Sequence, residues 1–124
     1  MDVQEPQTCL EMNLRAPAPE PLTDERLADL ARAMGNPSRV KIVRYLSQCR
    51  PHSENEVVEA VSLAQSTISQ HIRVLRDVGI VTAVDDPPRT WYCVNRAALA
   101  SLASAIAGLP RRFAELSEVL AAPI

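Results

Sequence analysis

Aromatic side chains are scarce in this 124-residue sequence, at 3% of the total: one Trp, two Tyr and one Phe. Ala and Leu supply most of the apolar residues instead, a composition that suits closely packed helices and disfavours a mainly β protein. Three glycines do not assemble a Gly-rich phosphate loop. No carboxylates pair in a periodic setting, and His52 and His71 lie outside any nucleophile motif, so nothing points to an enzyme. No run approaches the roughly 18 apolar residues of a membrane span. The N-terminal MDVQEPQTCLEMNLR is acidic where a signal peptide is basic and then apolar, so a soluble, cytoplasmic protein is expected. The cysteines, Cys9, Cys49 and Cys93, are odd in number and widely spread. That arrangement predicts reduced thiols, available as soft ligands, in place of a disulfide framework.

The length fits one compact domain. The formal charge of −2 does not advertise a nucleic-acid partner, but the distribution of charge matters more than its sum. Residues 1–25 carry Asp2, Glu5, Glu11, Glu20, Asp24 and Glu25 against Arg15 alone, whereas residues 38–96 are mildly basic.

Residues 1–22 contain four prolines and no apolar period, which predicts an extended N-terminal arm ahead of a domain over 23–122. Thr23 caps a first helix with Leu27, Leu30, Ala31 and Met34 inward, stopped at Gly35. Asn36-Pro37 opens a second, with Val40, Val43 and Leu46 inward, ending near Ser47. Ser53 and Glu56 form a capping box for a short third helix bearing Val57, Val58 and Val61.

The segment QSTISQHIRVLRDVG places Ile68, Ile72, Leu75 and Val78 on one face of a fourth helix and ends at Gly79. Its other face is Gln65, Ser66, Thr67, Ser69, Gln70 and Arg73. Ser, Thr and Gln are poor choices for a plain solvated helix, so their presence there points to contact. The runs IVTAV (80–84) and TWYCV (90–94), joined across Asp85–Arg89, predict a hairpin. Asn95 caps a further helix with Leu99, Leu102, Ala103, Ile106 and Leu109 inward. Pro110 interrupts it, and Phe113, Leu116, Val119 and Leu120 continue an apolar stripe.

The order predicts a mainly α fold with a small β-hairpin wing, a winged helix-turn-helix. The fourth helix would enter a DNA major groove about 12 Å wide. The unspent stripes of the first and last helices predict a C2 homodimer, with paired recognition helices roughly 34–36 Å apart on an inverted repeat in double-stranded operator DNA.

The stretches AMGNPSRVKIVRYL (33–46), QSTISQHIRVLRDVGIV (65–81) and RTWYCVN (89–95) resemble the ArsR/SmtB metalloregulatory repressors over residues 24–107 or so. The resemblance implies a homodimeric repressor that releases its operator when an inducer binds, with no cofactor needed for DNA binding. It places Gln65, Ser66, Thr67, Ser69 and Gln70 against DNA, and Arg73 and the wing's Arg89 on phosphates. One departure is Ala64, where relatives usually carry a Ser cap.

Two common inducer sites of such repressors are missing. SENEV, at the start of helix three, lacks a C-x-C pair, and Arg96–Gly108 contains neither His nor carboxylate. PQTCLEM and SQCRPHSENEV are similar instead to arsenic-responsive members with thiols in the N-terminal arm and in the loop before helix three. That implies Cys9 and Cys49 as ligands for trivalent arsenic, methylated or not. Those relatives carry adjacent arm cysteines, whereas Leu10 follows Cys9 here. Two thiolates fit a monomethylated arsenical, or a third ligand joins from His52 or Cys93. Rival readings are Cd(II) or Zn(II) on Cys9, Cys49 and His52, a redox or persulfide dithiol, and a winged-helix interaction module without operator binding. Cys93 on a wing strand also fits a small buried hydrophobe, and His71 a structural or DNA-facing role.

Overall fold

The computed structural model describes residue 13, residues 18–48 and residues 50–121, the side chains of Arg112 and Ala114 apart. Six helices and three strands follow one another among them: α1 (Asp24–Met34), α2 (Pro37–Leu46), β1 (His52–Ser53), α3 (Glu54–Val61), α4 (Gln65–Asp77), β2 (Val81–Asp86), β3 (Arg89–Val94), α5 (Arg96–Gly108) and α6 (Arg111–Ala121). None of these helices is long and apolar enough to cross a membrane.

Short polar side chains start most of these helices by satisfying otherwise unpaired N–H groups. Thr23 accepts from the Arg26 amide at 3.1 Å, and the Asn36 carboxamide from those of Ser38 and Arg39 at 2.9 and 3.3 Å. The predicted capping box at α3 forms by half. Ser53 Oγ accepts from the Glu56 amide at 3.3 Å, but the Glu56 carboxylate turns to Arg50, 3.0 Å away, a partner that a four-residue pattern does not reveal.

Helix α4 ends as predicted. Gly79 adopts φ +79°, where a Cβ would be strained, and the amides of Gly79 and Ile80 donate to the carbonyls of Arg76 and Leu75 at 2.9 and 3.0 Å. The expected five-residue hairpin loop is tighter in the structure. β2 and β3 pair from Val81↔Val94 to Asp86↔Arg89, leaving only Pro87 and Pro88 in the turn. A third strand, β1, pairs with the far edge of β3 through His52↔Tyr92 and Ser53↔Trp91, giving the order β1-β3-β2. Two residues are too few to leave a periodic signal.

The core joins Leu30 and Ala33 of α1, Ile42, Val43 and Leu46 of α2, Val57 of α3, and Ile68, Ile72 and Leu75 of α4 to Ile80, Val81, Val94 and Leu102. Two expectations are corrected. Ala31 is exposed and Ala33 is buried in its place. Ala103, Ile106 and Leu109, expected inward, are exposed, because among the described residues no element covers that side of α5.

The expectation of reduced thiols is also corrected at Cys93, which is disulfide-bonded and 2% exposed. The antiparallel register of β1 on β3 runs the chain before His52 alongside this end of the wing, a proximity invisible to counting cysteines. The expected arm lies mostly outside the described residues. Where it is described it meets α5: Asn13 Oδ1 accepts from the Arg96 amide at 3.1 Å, and the Glu20 amide donates to Ser101 Oγ at 3.2 Å.

Candidate nucleic-acid interface

Helix α4 is held by its apolar face. Ile68, Ile72 and Leu75 are all but completely buried, each contributing about 2 kcal/mol of transfer free energy, and this anchoring turns the opposite face outward. Gln65, Ser66, Ser69, Gln70 and Arg73 are exposed there and Thr67 is half-buried. The six residues predicted on this helix therefore share one accessible surface. The N-terminus of α4 lacks a side-chain cap: Ala64 makes no such hydrogen bond, so its first amides remain available to an external acceptor.

Arg89, the seventh predicted contact, stands apart at the wing tip. It is exposed, with its guanidinium 5.9 Å from the Trp91 ring centroid, a cation–π contact that limits its wandering. The wing also carries Asp85, which accepts from Thr90 Oγ1 at 3.1 Å, and exposed Asp86.

Between α4 and the wing runs an open groove of about 510 Å³ lined by Glu54, Ser69, Ile72, Arg73, Arg76, Asp77 and Tyr92. Four of its polar residues, Glu54, Arg76, Asp77 and Tyr92, escaped the sequence reading. Arg76 follows Arg73 by one helical turn and could have been found from that spacing. Tyr92 enters through the pairing of β3. Burial pushes its phenol pKa up, with the Glu54 and Asp85 carboxylates adding to the rise and Arg76 opposing it, so the hydroxyl stays a donor. Glu54 read only as part of a helix start, yet its carboxylate accepts from Ser69 Oγ at 2.5 Å and from Gln65 Nε2 at 3.4 Å.

His71 is half-buried on α4. Burial, and then the nearby Arg39 guanidinium, hold its pKa below the ordinary 6.5, so it is mostly neutral at pH 7.

The candidate inducer ligands are not brought together by the described residues. Cys9 and Cys49 lie outside them. Cys93 is in a disulfide and in that state supplies no thiolate. His52 is 0% exposed, its ring centroid 4.5 Å from that of Tyr45, so it belongs to the interior. No group of three or more His, Cys, Asp or Glu side chains among the described residues could hold a metal ion.

Comparison with known proteins agrees with this geometry. The family described as bacterial regulatory protein, arsR family, matches residues 36–83, the span from the cap of α2 into β2. The HTH-type transcriptional regulator YgaV of Escherichia coli is 32% identical over 75 residues, which is 60% of this chain and 76% of that protein. A homodimeric winged helix-turn-helix DNA-binding domain from Mycobacterium bovis superposes with a TM-score of 0.57 at 22% identity, over 69% of this chain and 87% of that one. A protein described as a possible transcriptional regulator for arsenical resistance has a TM-score of 0.61 at 27% identity, over 66% of this chain and 84% of that one. These are regulators and DNA-binding domains, not enzymes, and the two solved structures share the winged helix-turn-helix fold seen here. The chain belongs to the arsR family of bacterial regulatory proteins.

Proposed function

We propose that this protein is a cytoplasmic homodimeric repressor that binds an inverted-repeat operator and releases it to a thiophilic inducer. The observation that carries this reading is the α4 surface: an apolar face locked in the core and an outward face of Gln65, Ser66, Thr67, Ser69, Gln70 and Arg73 beside a wing bearing Arg89. The amides and hydroxyls are the groups that meet base edges, and the two arginines are suited to phosphate.

Residues 23–122 act in this reading as the DNA-binding and dimerisation unit and residues 1–22 as its arm. The twofold contact uses the stripe of Leu109, Phe113, Leu116 and Leu120, exposed by 59 to 84% in the single chain. A stripe of that size on a small domain calls for a partner, and the likeness to a homodimeric domain supports a second copy as that partner.

Trivalent arsenic is the inducer this reading favours, held by Cys9 and Cys49. The likeness to a protein described as a possible transcriptional regulator for arsenical resistance supports it. The interior position of His52 argues against it as a third ligand, and in the reduced protein the two thiolates of Cys9 and Cys49 fit a monomethylated species. Binding ties arm to loop, and release follows if that tied conformation spaces the recognition helices wrongly.

The disulfide favours one second reading, release by an oxidant such as a peroxide. Two thiols would surrender two electrons and two protons to form the disulfide, hydrogen peroxide leaving as two waters or an alkyl peroxide as an alcohol and a water.

A gel shift on the DNA upstream of the gene, at a stated salt concentration, tests the core of the proposal. The reduced protein should retard that fragment, Arg73→Ala should weaken the complex, and adding phenylarsine oxide should dissolve it. A chain that ignores the fragment even in dilute buffer overturns the reading.

A further inference from the structure

Two of the outward-facing donors of α4 already have a partner within the chain. Gln65 and Ser69 are one turn apart on the side of α4 that faces the groove, and both donate to the same carboxylate, Glu54 at the first position of α3. Arg73 continues the row a turn further on, with Arg76 and Tyr92 beside it. A half-buried anion thus sits among the donors that a duplex would use. Hydrogen bonds to an ionised acceptor are roughly twice as strong as neutral ones, and a base edge is neutral, so a base must displace a stronger partner. The carboxylate also repels every phosphate brought toward the groove.

We propose that Glu54 is a specificity-determining residue that competes with DNA for Gln65 and Ser69 and so sets a threshold on operator affinity. The inference rests on the DNA-binding reading above. Two components follow, and they separate. Repulsion acts on any duplex and fades as salt rises. Competition acts only where Gln65 and Ser69 must leave Glu54 for base edges, which is on the operator, and it survives salt.

The test uses the full-length protein, the upstream fragment and an unrelated duplex of equal length, with Glu54→Ala and the milder Glu54→Gln. Glu54→Ala should bind the upstream fragment about tenfold more tightly and the unrelated duplex by a smaller factor. The excess on the upstream fragment should persist at higher salt and vanish when Gln65 and Ser69 are both changed to Ala. Glu54→Gln keeps an acceptor without the charge and should fall between wild type and Glu54→Ala. Equal gains on both duplexes reduce Glu54 to a charge and overturn the competition. A loss of affinity, with a lower melting temperature in both variants, makes Glu54 a structural tie between α3 and α4 and overturns the proposal as well. Wild-type binding without any gain in the variants defeats this inference alone. Binding by neither wild type nor variants defeats the DNA-binding reading and this inference with it.

Discussion

The Arg26 guanidinium donates at 2.6 Å to the carbonyl of Val78, 52 residues along the chain. Val78 is the residue on which α4 closes, so a cation from α1 satisfies a terminal carbonyl and meets the negative end of the helix dipole. The bond fixes the far end of α4 to the helix that opens the domain.

Arg26→Ala should therefore cost about 1 kcal/mol of stability, since the contact is charged but solvent-exposed. Urea unfolding followed by circular dichroism reads it, and an unchanged midpoint would show that the bond contributes nothing.

The opposite end of α4 can be improved. Ala64 supplies no side-chain acceptor, and Ala64→Ser should stabilise the protein by about 1 kcal/mol. A rise in melting temperature is the readout. A fall would mean that the backbone at Ala64 does not place a serine oxygen over the first amides.

The exposed stripe on α6 gives a prediction about assembly. Phe113 and Leu116 are 75% and 59% exposed in the single chain. Phe113→Glu with Leu116→Glu, counted twice across a twofold axis, removes several kcal/mol of association free energy at about 2 kcal/mol per buried side chain. Sedimentation should show a dimer for the wild type and a monomer for the variant; a variant that stays dimeric moves the interface elsewhere.

His71 makes stability depend on pH. Its folded pKa is depressed below 6.5, so the unfolded chain takes up the proton first as pH falls. The contribution is fully present above about pH 6.5 and declines below it, toward the lower folded pKa. Melting temperatures of wild type and His71→Gln between pH 8 and pH 5 should diverge on the acid side, the variant losing less, by roughly the shape of a single titration. Parallel curves would remove His71 from the account.

The thiol assignment predicts a separation of functions. Cys49→Ser should retain operator binding in reducing buffer and lose the roughly 5- to 150-fold weakening expected of an inducer. Release of the variant by phenylarsine oxide at wild-type concentrations would refute the ligand assignment.

Most of the architecture was legible because it is local. Caps such as Thr23 and Asn36, the stop at Gly79 and the 3.6-residue period of Ile68, Ile72 and Leu75 are short-range consequences of backbone hydrogen bonding and apolar burial. They place the polar face of α4 without reference to the rest of the molecule, and the family likeness follows from the same residues.

Tertiary structure decided what depends on distant segments. The β1 to β3 pairing, the burial of His52, the disulfide at Cys93 and the outward turn of Ile106 all arise from which surfaces meet, and no local period encodes that. The same holds for Glu54, whose 15-residue separation from Ser69 conceals a hydrogen bond made only when α3 and α4 pack. Sequence determined which helix turns its hydrogen-bonding side chains outward; the fold decided which carboxylate already holds two of them.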